Sequence, residues 1–275
     1  MKNYSTKISL TKNGRGVYSI DPTIGCGSGV AENKKGCYGD CYSAKSAKMY
    51  GYDFSNTILR DFENEKHLYS ISNEINRIDL PFIRMGSSGD PSENWEHTLR
   101  ICKQLSKHIN INQYSAFDGL EKNKQIVIIT KHWQTLTDSQ LTELSKYNIC
   151  VNTSVSAIDN EDELTGRMNE YKRIKPYCKS VLRIVSFDFN LDNVKGHNYY
   201  KIQLGLFKNK GVIDTVFRAS KGNPLVRDGV INTHKTKFLG KNALVSKYNK
   251  KTYFGKCGNC LEMCGVNSSL AFAVD

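Results

Sequence analysis

The sequence lacks the features that mark several large protein classes. No window reaches the roughly 18 uninterrupted apolar residues of a membrane-spanning helix, and the N-terminal segment MKNYSTKISLTKNGRG lacks the apolar core of a signal peptide. It contains no internal repeat of roughly 20 to 50 residues and no low-complexity tract, which excludes solenoids and propellers. Apolar content is 39% and charged content 24%, which argues against disorder. We therefore expect a globular cytoplasmic protein with no membrane partner.

Several catalytic signatures are also absent. The chain has no GxSxG elbow, no Walker loop and no complete dinucleotide fingerprint, so hydrolase, NTPase and dehydrogenase functions lack their usual motifs. Its six histidines form no HExxH or other close metal-binding pair. His132 alone follows a predicted strand directly, at a position where a chemical role is reasonable.

The charge of the chain indicates an acidic partner. The formal net charge is +12 and the pI is about 9.2, which favours nucleic acid, a nucleotide or another phosphate compound. The basic residues are spread along the chain, so a solvated lysine-rich surface explains the same charge equally well.

Short apolar runs alternate with longer segments of helical spacing. The runs predict six strands, at Val17–Ile20, Pro81–Met85, Ile126–Thr130, Ile149–Val155, Val181–Phe187 and Val212–Phe217. The helical spacing predicts six helices, at Cys41–Tyr50, Asn56–Arg77, Asn94–His108, Asp138–Tyr147, Asp162–Ile174 and Asn198–Lys208.

This alternation predicts the α/β class with right-handed βαβ units and a parallel sheet. The sheet could be an open, doubly wound one or a full or partial barrel. Several strands end in polar residues, and in both architectures those ends meet where active sites form. We expect one domain over residues 1–236 and a cysteine-rich C-terminal appendage over residues 237–275.

Cysteine is the residue that carries most of the chemistry. Nine cysteines in a reducing compartment favour metal binding over disulfides. Cys26, Cys37 and Cys41 follow the first predicted strand in a glycine-rich segment whose backbone can fold closely around a bound group. A closed zinc site needs four ligands, whereas three thiolates leave one iron of a cubane cluster open. Zinc and three buried structural cysteines are the alternatives.

These motifs together resemble the radical S-adenosylmethionine (SAM) superfamily. The resemblance covers about residues 20–217 and is carried, in chain order, by the segments GCYGDCYSA, RMGSSGD, IITK, NTSVS and LRIVSF. The C-x10-C-x3-C spacing departs from the common CxxxCxxC pattern. It looks closest to phage-encoded radical SAM-like proteins and, more distantly, to spore photoproduct lyases.

The resemblance implies a partial (β/α)6 barrel and a [4Fe-4S] cluster held by Cys26, Cys37 and Cys41. SAM would chelate the open iron through its amino and carboxylate groups. Reduction by an electron donor such as flavodoxin or ferredoxin would then cleave SAM to methionine and a 5′-deoxyadenosyl radical. The same three cysteines are the catalytic residues that the resemblance implies.

Further residues at the strand ends are candidates for cofactor binding. Related enzymes carry a glycine-rich motif that receives the SAM amino group, and this motif corresponds to Gly86, Ser87, Ser88, Gly89 and Asp90. Asp90 precedes a proline, so it also suits the start of a helix.

Two strand-end pairs and two arginines complete the predicted cofactor contacts. Thr130 and Lys131 end the third predicted strand. Ser154 and Ser156 share one face of the fourth, where they suit ribose or carboxylate contacts or hydrogen bonds to backbone. Arg183 and Arg218 suit the SAM carboxylate or a substrate phosphate, with Asp188 as an alternative partner of Arg183.

A second triplet near the C-terminus indicates another metal site. Cys257, Cys260 and Cys264 form CxxC with a nearby third cysteine, which suits an auxiliary iron–sulfur cluster or zinc. Its fourth ligand could come from Cys102, Cys150, Cys178, His234, a substrate atom or water.

Three functions remain open from the sequence. The first is a radical SAM enzyme acting on a nucleic acid base or nucleotide, and the second is a radical SAM enzyme that modifies a peptide. The third is a non-catalytic zinc protein that binds nucleic acid through its basic surface. Iron and sulfide content separates the third function from the other two.

Overall fold

The fold is given by a computed structural model of the 275-residue chain. It describes residues 4–13, 16–30, 41–109, 124–157, 159–186, 194–208, 215–216, 231–235, 242–246 and 253–254. The chain divides into two compact units. The first comprises residues 1–151 and 174–179, and the second comprises residues 152–173 and 180–275.

The first unit alternates short strands with helices. Its strands are β1 (Leu10–Lys12), β2 (Tyr18–Ile20), β3 (Thr23–Ile24), β4 (Ile58–Leu59), β5 (Phe82–Met85), β6 (Gln125–Thr130) and the start of β7 (Ile149–Ser156). Its helices are α1 (Gly27–Val30), α2 (Tyr42–Tyr50), α3 (Glu65–Asn76), a 3-10 helix (Pro91–Asn94), α4 (Trp95–Ile109) and α5 (Asp138–Leu144).

The second unit contains the rest of β7 and the later elements. These are α6 (Glu161–Ile174), β8 (Lys179–Ser186), α7 (Val194–Lys208) and β9 (Thr215–Val216). A separate antiparallel sheet follows, formed by β10 (Ile231–Lys235), β11 (Asn242–Ser246) and β12 (Tyr253–Phe254).

The main sheet has the strand order β1-β2-β5-β6-β7-β8-β9. β1 is antiparallel to β2, whereas the pairs β2–β5, β5–β6 and β8–β9 are parallel. Over the described residues no pairing joins the two edge strands, so the sheet is not closed. The mixed α/β class with a mostly parallel sheet is therefore confirmed.

The core of the first unit lies between one face of its sheet and the helices α3, α4 and α5. Alternation along a strand places every second side chain on the same face. The strands accordingly contribute Ile20, Ile83, Met85, Ile126, Ile128, Ile149 and Val151. The helices contribute Leu68, Ile71, Ile75, Leu99, Cys102, Leu105, Leu141 and Leu144 at helical spacing.

The opposite face of the sheet carries polar side chains. Ser19 on β2 pairs in register with Arg84 on β5, and both alternate with core residues. Ser87 lies within hydrogen-bond distance of both, at 2.7 Å from the Ser19 hydroxyl and 3.1 Å from an Arg84 guanidinium nitrogen. The predicted site residues lie at the carboxyl ends of these strands.

One predicted helix was wrong in its first part. The sequence predicted a helix from Asn56, but Ile58 and Leu59 pair as β4 with β3, and α3 begins at Glu65. Asn64 caps α3 by accepting a hydrogen bond from the His67 N–H. No helix among the described residues combines the length and apolar character needed to cross a bilayer.

Candidate functional site

A buried carboxylate organises the glycine-rich loop after β5. Asp21, directly after β2, accepts hydrogen bonds from the N–H groups of Gly86 and Ser87 through Oδ1, at 2.9 and 2.8 Å. Its Oδ2 accepts the Ser88 N–H at 3.1 Å. One side chain of the protein therefore accepts hydrogen bonds from three consecutive N–H groups of the loop. Sequence reasoning missed Asp21, although its place directly after a strand was a usable signal.

The Asp21 side chain is buried and is surrounded by hydrogen-bond donors. Burial raises the pKa of its carboxyl above the usual value. The N–H groups of Ser87 and Gly86 and the charges of Arg84 and Arg60 act in the opposite direction and counteract only part of that rise. The loop therefore rests on a carboxylate that water does not reach.

Close backbone packing explains two glycines of the loop. Gly86 has a φ of 90°, and a Cβ there would lie 2.2 Å from the Ile129 carbonyl oxygen. A Cβ on Gly89 would lie 2.6 Å from the Thr23 carbonyl oxygen and 2.8 Å from that of Gly25. The loop lies directly on the segment before Cys26, because the Gly25 N–H donates to the Ser88 carbonyl at 3.0 Å.

Asp90 joins the ends of β5 and β6. Its Oδ1 accepts the Ser92 N–H at 2.9 Å, the Ser92 hydroxyl at 2.8 Å and the Thr130 hydroxyl at 2.6 Å. Its Oδ2 accepts the Lys131 N–H at 2.7 Å. Asp90 thus caps the 3-10 helix, and three predicted site residues, Asp90, Thr130 and Lys131, are brought together. Burial raises the pKa of the Asp90 carboxyl, with the Thr130 hydroxyl opposing that effect.

The first cysteine lies beside a carboxylate. The Cys26 Sγ is 3.5 Å from Glu93 Oε1, which also accepts the Ser28 N–H at 3.0 Å. The Ser28 hydroxyl donates to Glu93 Oε2 at 3.2 Å. Glu93 lies in the 3-10 helix that Asp90 caps, so it connects the cysteine segment to the loop after β5. Sequence reasoning missed Glu93, since nothing in the sequence pairs it with residues 65 or more positions away.

Cys41 lies with Cys26 against one small apolar cluster. The cluster consists of Val30, Ala47 and Phe54, and both cysteines pack against it. Cys41 has an extended backbone and directly precedes α2, so its thiol lies at the N-terminal end of that helix. A Cβ on Gly29 would lie 2.7 Å from the Cys26 Sγ, so glycine leaves that sulfur room.

Five predicted site residues lie outside the described residues: Cys37, Arg218, Cys257, Cys260 and Cys264. Among the residues that are described, no three His, Cys, Asp or Glu side chains are grouped so as to hold a metal ion. Cys26 and Cys41 are the two predicted ligands that the structure describes, and the cluster with its three ligands stays a prediction.

His132 has a positive φ, which is uncommon for a residue other than glycine. Its φ is 54°, in the left-handed region, and its N–H donates to the Thr130 hydroxyl at 2.8 Å. Its ring lies 5.8 Å from that of Trp95. The strained backbone turns the chain sharply after β6, next to the Asp90 contacts.

The second unit carries the remaining predicted site residues. Ser154 and Ser156 lie on β7 and Arg183 on β8, and all three side chains are buried. The Ser156 N–H donates to Asp159 Oδ2 at 2.8 Å. A buried ion pair of Arg167 with Asp159, at 2.8 Å, holds that carboxylate.

We compared the chain with protein-family models, with curated protein sequences and with solved structures, and none of them matches it. The chemistry of the site therefore has to be argued from its own residues.

Proposed function

We propose that this protein is a radical SAM enzyme with a partial (β/α)6 barrel, acting on a nucleic acid base or nucleotide. The observation that carries the proposal is the position of Cys26 and Cys41, which pack against the same three apolar residues next to the glycine-rich loop. A [4Fe-4S] cluster on Cys26, Cys37 and Cys41 would supply the electron that cleaves SAM to a 5′-deoxyadenosyl radical.

Thiolate ligands suit iron–sulfur clusters and zinc alike. The Cys26 sulfur lies so close to Gly29 that a Cβ there would be 2.7 Å from it, so a glycine is needed at this position. The role of Glu93 is to fix the Cys26 segment through Ser28, because its carboxylate accepts both the N–H and the hydroxyl of that residue.

The loop after β5 suits a cationic group rather than a phosphate. Glycine-rich loops bind phosphate through free N–H groups. Here Asp21 occupies the N–H groups of Gly86, Ser87 and Ser88, so they are not free for a phosphate. The Ser87 and Ser88 carbonyls each accept one hydrogen bond within the protein, and a carbonyl oxygen can accept a second one from a ligand. The ammonium group of SAM is a ligand that carbonyl oxygens would accept, and Asp21 and Asp90 add negative charge nearby.

Iron and sulfide analysis after anaerobic reconstitution tests the cluster. Cys26→Ala, Cys37→Ala and Cys41→Ala should each lower the content by about four iron and four sulfide per chain. Cys178→Ala is the control for the first site, because Cys178 is half-buried like Cys26 and Cys41 but packs against the main core of the first unit, and it should keep at least the four iron and four sulfide of that site. Zinc without sulfide in the wild-type protein would overturn the proposal.

Two further measurements test the reaction and the substrate. Adding SAM and dithionite should release 5′-deoxyadenosine from the wild type and from Cys178→Ala, but not from Cys37→Ala. The net charge of +12 supports nucleic acid binding whose affinity falls steeply with salt. An absence of DNA and RNA binding at low salt would argue against a nucleic acid substrate.

A further inference from the structure

The C-terminal end of α2 exposes two large apolar side chains next to each other. Met49 is 71% exposed and Tyr50 is 59% exposed, the highest values for large apolar residues in the part of the chain that the structure describes. A single exposed apolar residue is ordinary, whereas adjacent ones form a patch that marks a binding surface.

Two further tyrosines lie beside this patch. Gly51 ends α2 with a φ of 80°, and the Tyr52 N–H that follows donates to the Ala47 carbonyl at 2.8 Å. The Tyr52 ring stacks on the Tyr4 ring, with 4.5 Å between the centroids and 9° between the planes. Both rings are half-buried. We call the stacked pair, together with the two exposed residues, the aromatic end of α2.

The charge on α2 is positive. The helix contains Lys45 and Lys48, which are both exposed, and no acidic residue. Residues three positions apart lie on the same side of a helix, so the two lysines are neighbours. One carboxylate, that of Asp53, lies close to Tyr4. It accepts hydrogen bonds from the Ser55 N–H and hydroxyl, at 2.9 and 2.6 Å.

The aromatic end of α2 lies on the same small core as the predicted cluster ligands. The stacked tyrosines pack against the apolar cluster that Cys26 and Cys41 also contact. Cys41 directly precedes α2, and the nine residues of this helix span about 13 Å. A polymer can therefore contact the aromatic end while one of its units lies near the cysteines, which a single nucleotide is too short to do.

We propose that the aromatic end of α2, with Lys48 beside it, binds single-stranded nucleic acid. Every base has a flat face that stacks on an aromatic ring, and lysine neutralises the phosphates between the bases. The last carbonyl groups of a helix carry partial negative charge. The bases should therefore lie over the tyrosines and the phosphates beside the lysines. In a duplex the base faces are covered, so a duplex offers the rings nothing to stack on.

The inference deepens the proposed function and rests on it for the choice of nucleic acid over another anionic polymer. It adds that the substrate is a single-stranded polynucleotide rather than a free nucleotide. A stable protein interface buries roughly 800 Å² on each partner, which is much more than two exposed apolar side chains provide. Aromatic rings beside lysines suit bases and phosphates better.

The test measures binding of a labelled oligothymidylate of about 12 nucleotides to the full chain by fluorescence anisotropy. Tyr50→Ala should weaken binding at least about fivefold, because it removes one stacked base. Tyr50→Phe should bind like the wild type, since its ring stacks as well. Tyr69→Ala is the matched control, because Tyr69 is 50% exposed but lies on α3, and it should leave binding unchanged.

Salt dependence tests the contribution of Lys48 separately. Lys48→Gln should reduce the slope of log affinity against log salt by about 0.7 between about 50 and 200 mM salt, the amount expected for one phosphate contact on a single strand. Lys66→Gln, at an exposed position on α3, is the control and should keep the wild-type slope. A dA·dT duplex of the same length should compete at least about fivefold less effectively than the single strand.

Four results would overturn the inference. The first is no binding of the oligothymidylate by the wild type at low salt, and the second is equal binding by Tyr50→Ala and the wild type. The third is an equal loss in Tyr50→Ala and Tyr69→Ala, which would show that binding is spread over the surface. The fourth is a wild-type dimer that Tyr50→Ala separates, which would assign the patch to a second copy of the chain. If Tyr50→Ala does not fold, Tyr50→Ser replaces it, because serine suits a helix end.

Iron and sulfide are measured in the same samples, so the inference and the proposed function can fail separately. Tyr50-dependent binding by a protein that contains zinc and no sulfide would support the nucleic acid surface and exclude radical chemistry. A loaded cluster that releases 5′-deoxyadenosine, together with binding that ignores Tyr50, would exclude the surface and leave radical chemistry standing.

Discussion

At the scale of single residues, two glycines with the same backbone conformation allow the stability cost of a left-handed alanine to be measured apart from the cost of a steric clash. Gly16 and Gly86 have φ values of 83° and 90°, but a Cβ on Gly16 meets nothing within 4 Å. Gly16→Ala should therefore lower the free energy of unfolding only by the left-handed strain, about 1–2 kcal/mol. Gly86→Ala should cost more, because its Cβ would lie 2.2 Å from the Ile129 carbonyl oxygen. Urea unfolding measures both, and equal losses would contradict the packing of the loop.

Asp21 is predicted to hold the loop after β5 in place. Asp21→Asn keeps the shape but offers one acceptor oxygen to three N–H groups, so at least one of them loses its partner. We expect the free energy of unfolding to fall by about 1–3 kcal/mol. Hydrogen exchange at Gly86, Ser87 and Ser88 should become faster. Asp79→Asn, at an exposed position in the segment before β5, is the control and should change neither quantity.

The sequence predicted the residue types of the site better than their partners. Asp90 was expected either to bind the cofactor or to cap a helix, and its four hydrogen bonds include that cap. Asp21 and Glu93 were missed for a physical reason, because they act through contacts with residues 65 or more positions away.

At the scale of elements, hydrophobic spacing predicted most helices but could not set all their starts. The segment from Asn56 has helical spacing, yet Ile58 and Leu59 pair with β3 instead. That pairing brings together residues about 35 positions apart, which spacing within a single segment does not report. The start of α5 was readable because Thr137 precedes it in a capping box with Gln140, whereas the Asn64 cap of α3 was not recognised in the sequence.

An ion pair that fixes α4 to the segment after β4 should make stability depend on pH. Burial by itself raises the pKa of Asp61, but the hydrogen bond and charge of Arg100, together with the Phe62 N–H and the charge of His97, outweigh it, so the pKa lies below its ordinary value. The pair therefore stabilises the fold above the unfolded-state pKa of about 4, and its contribution is lost as the pH falls through the lower folded-state pKa.

Asp61→Asn tests this dependence. Both side chains are nearly half exposed, so the wild type should exceed the variant by only about 0.2–1 kcal/mol at pH 7. The difference should shrink as the pH falls from about 4 through the lower folded-state pKa, because the unfolded-state carboxylate binds its proton first and the folded one last. Urea unfolding at pH 7, 5 and 3.5 measures it, and Arg100→Gln should give the same profile. A difference that stays constant with pH would show that the pair contributes nothing.

At the scale of the whole molecule, composition and alternation predicted the α/β class because they depend on many residues at once. A parallel sheet needs crossover helices, and strands alternating with helices leave few other arrangements. The antiparallel sheet of β10, β11 and β12 was not predicted, since the chain after the sixth predicted strand was interpreted through its cysteines alone.

The second cysteine triplet should decide how much metal the whole chain carries. If Cys257, Cys260 and Cys264 hold an auxiliary cluster, the reconstituted wild type should contain about eight iron per chain, and a triple alanine variant about four. If they hold zinc, the triple variant should instead lose about one zinc and keep its iron. Elemental analysis of both proteins beside Cys26→Ala makes the two sites separable, because Cys26→Ala removes iron from the first site only. Equal iron and equal zinc in the wild type and the triple variant would show that the second triplet binds no metal.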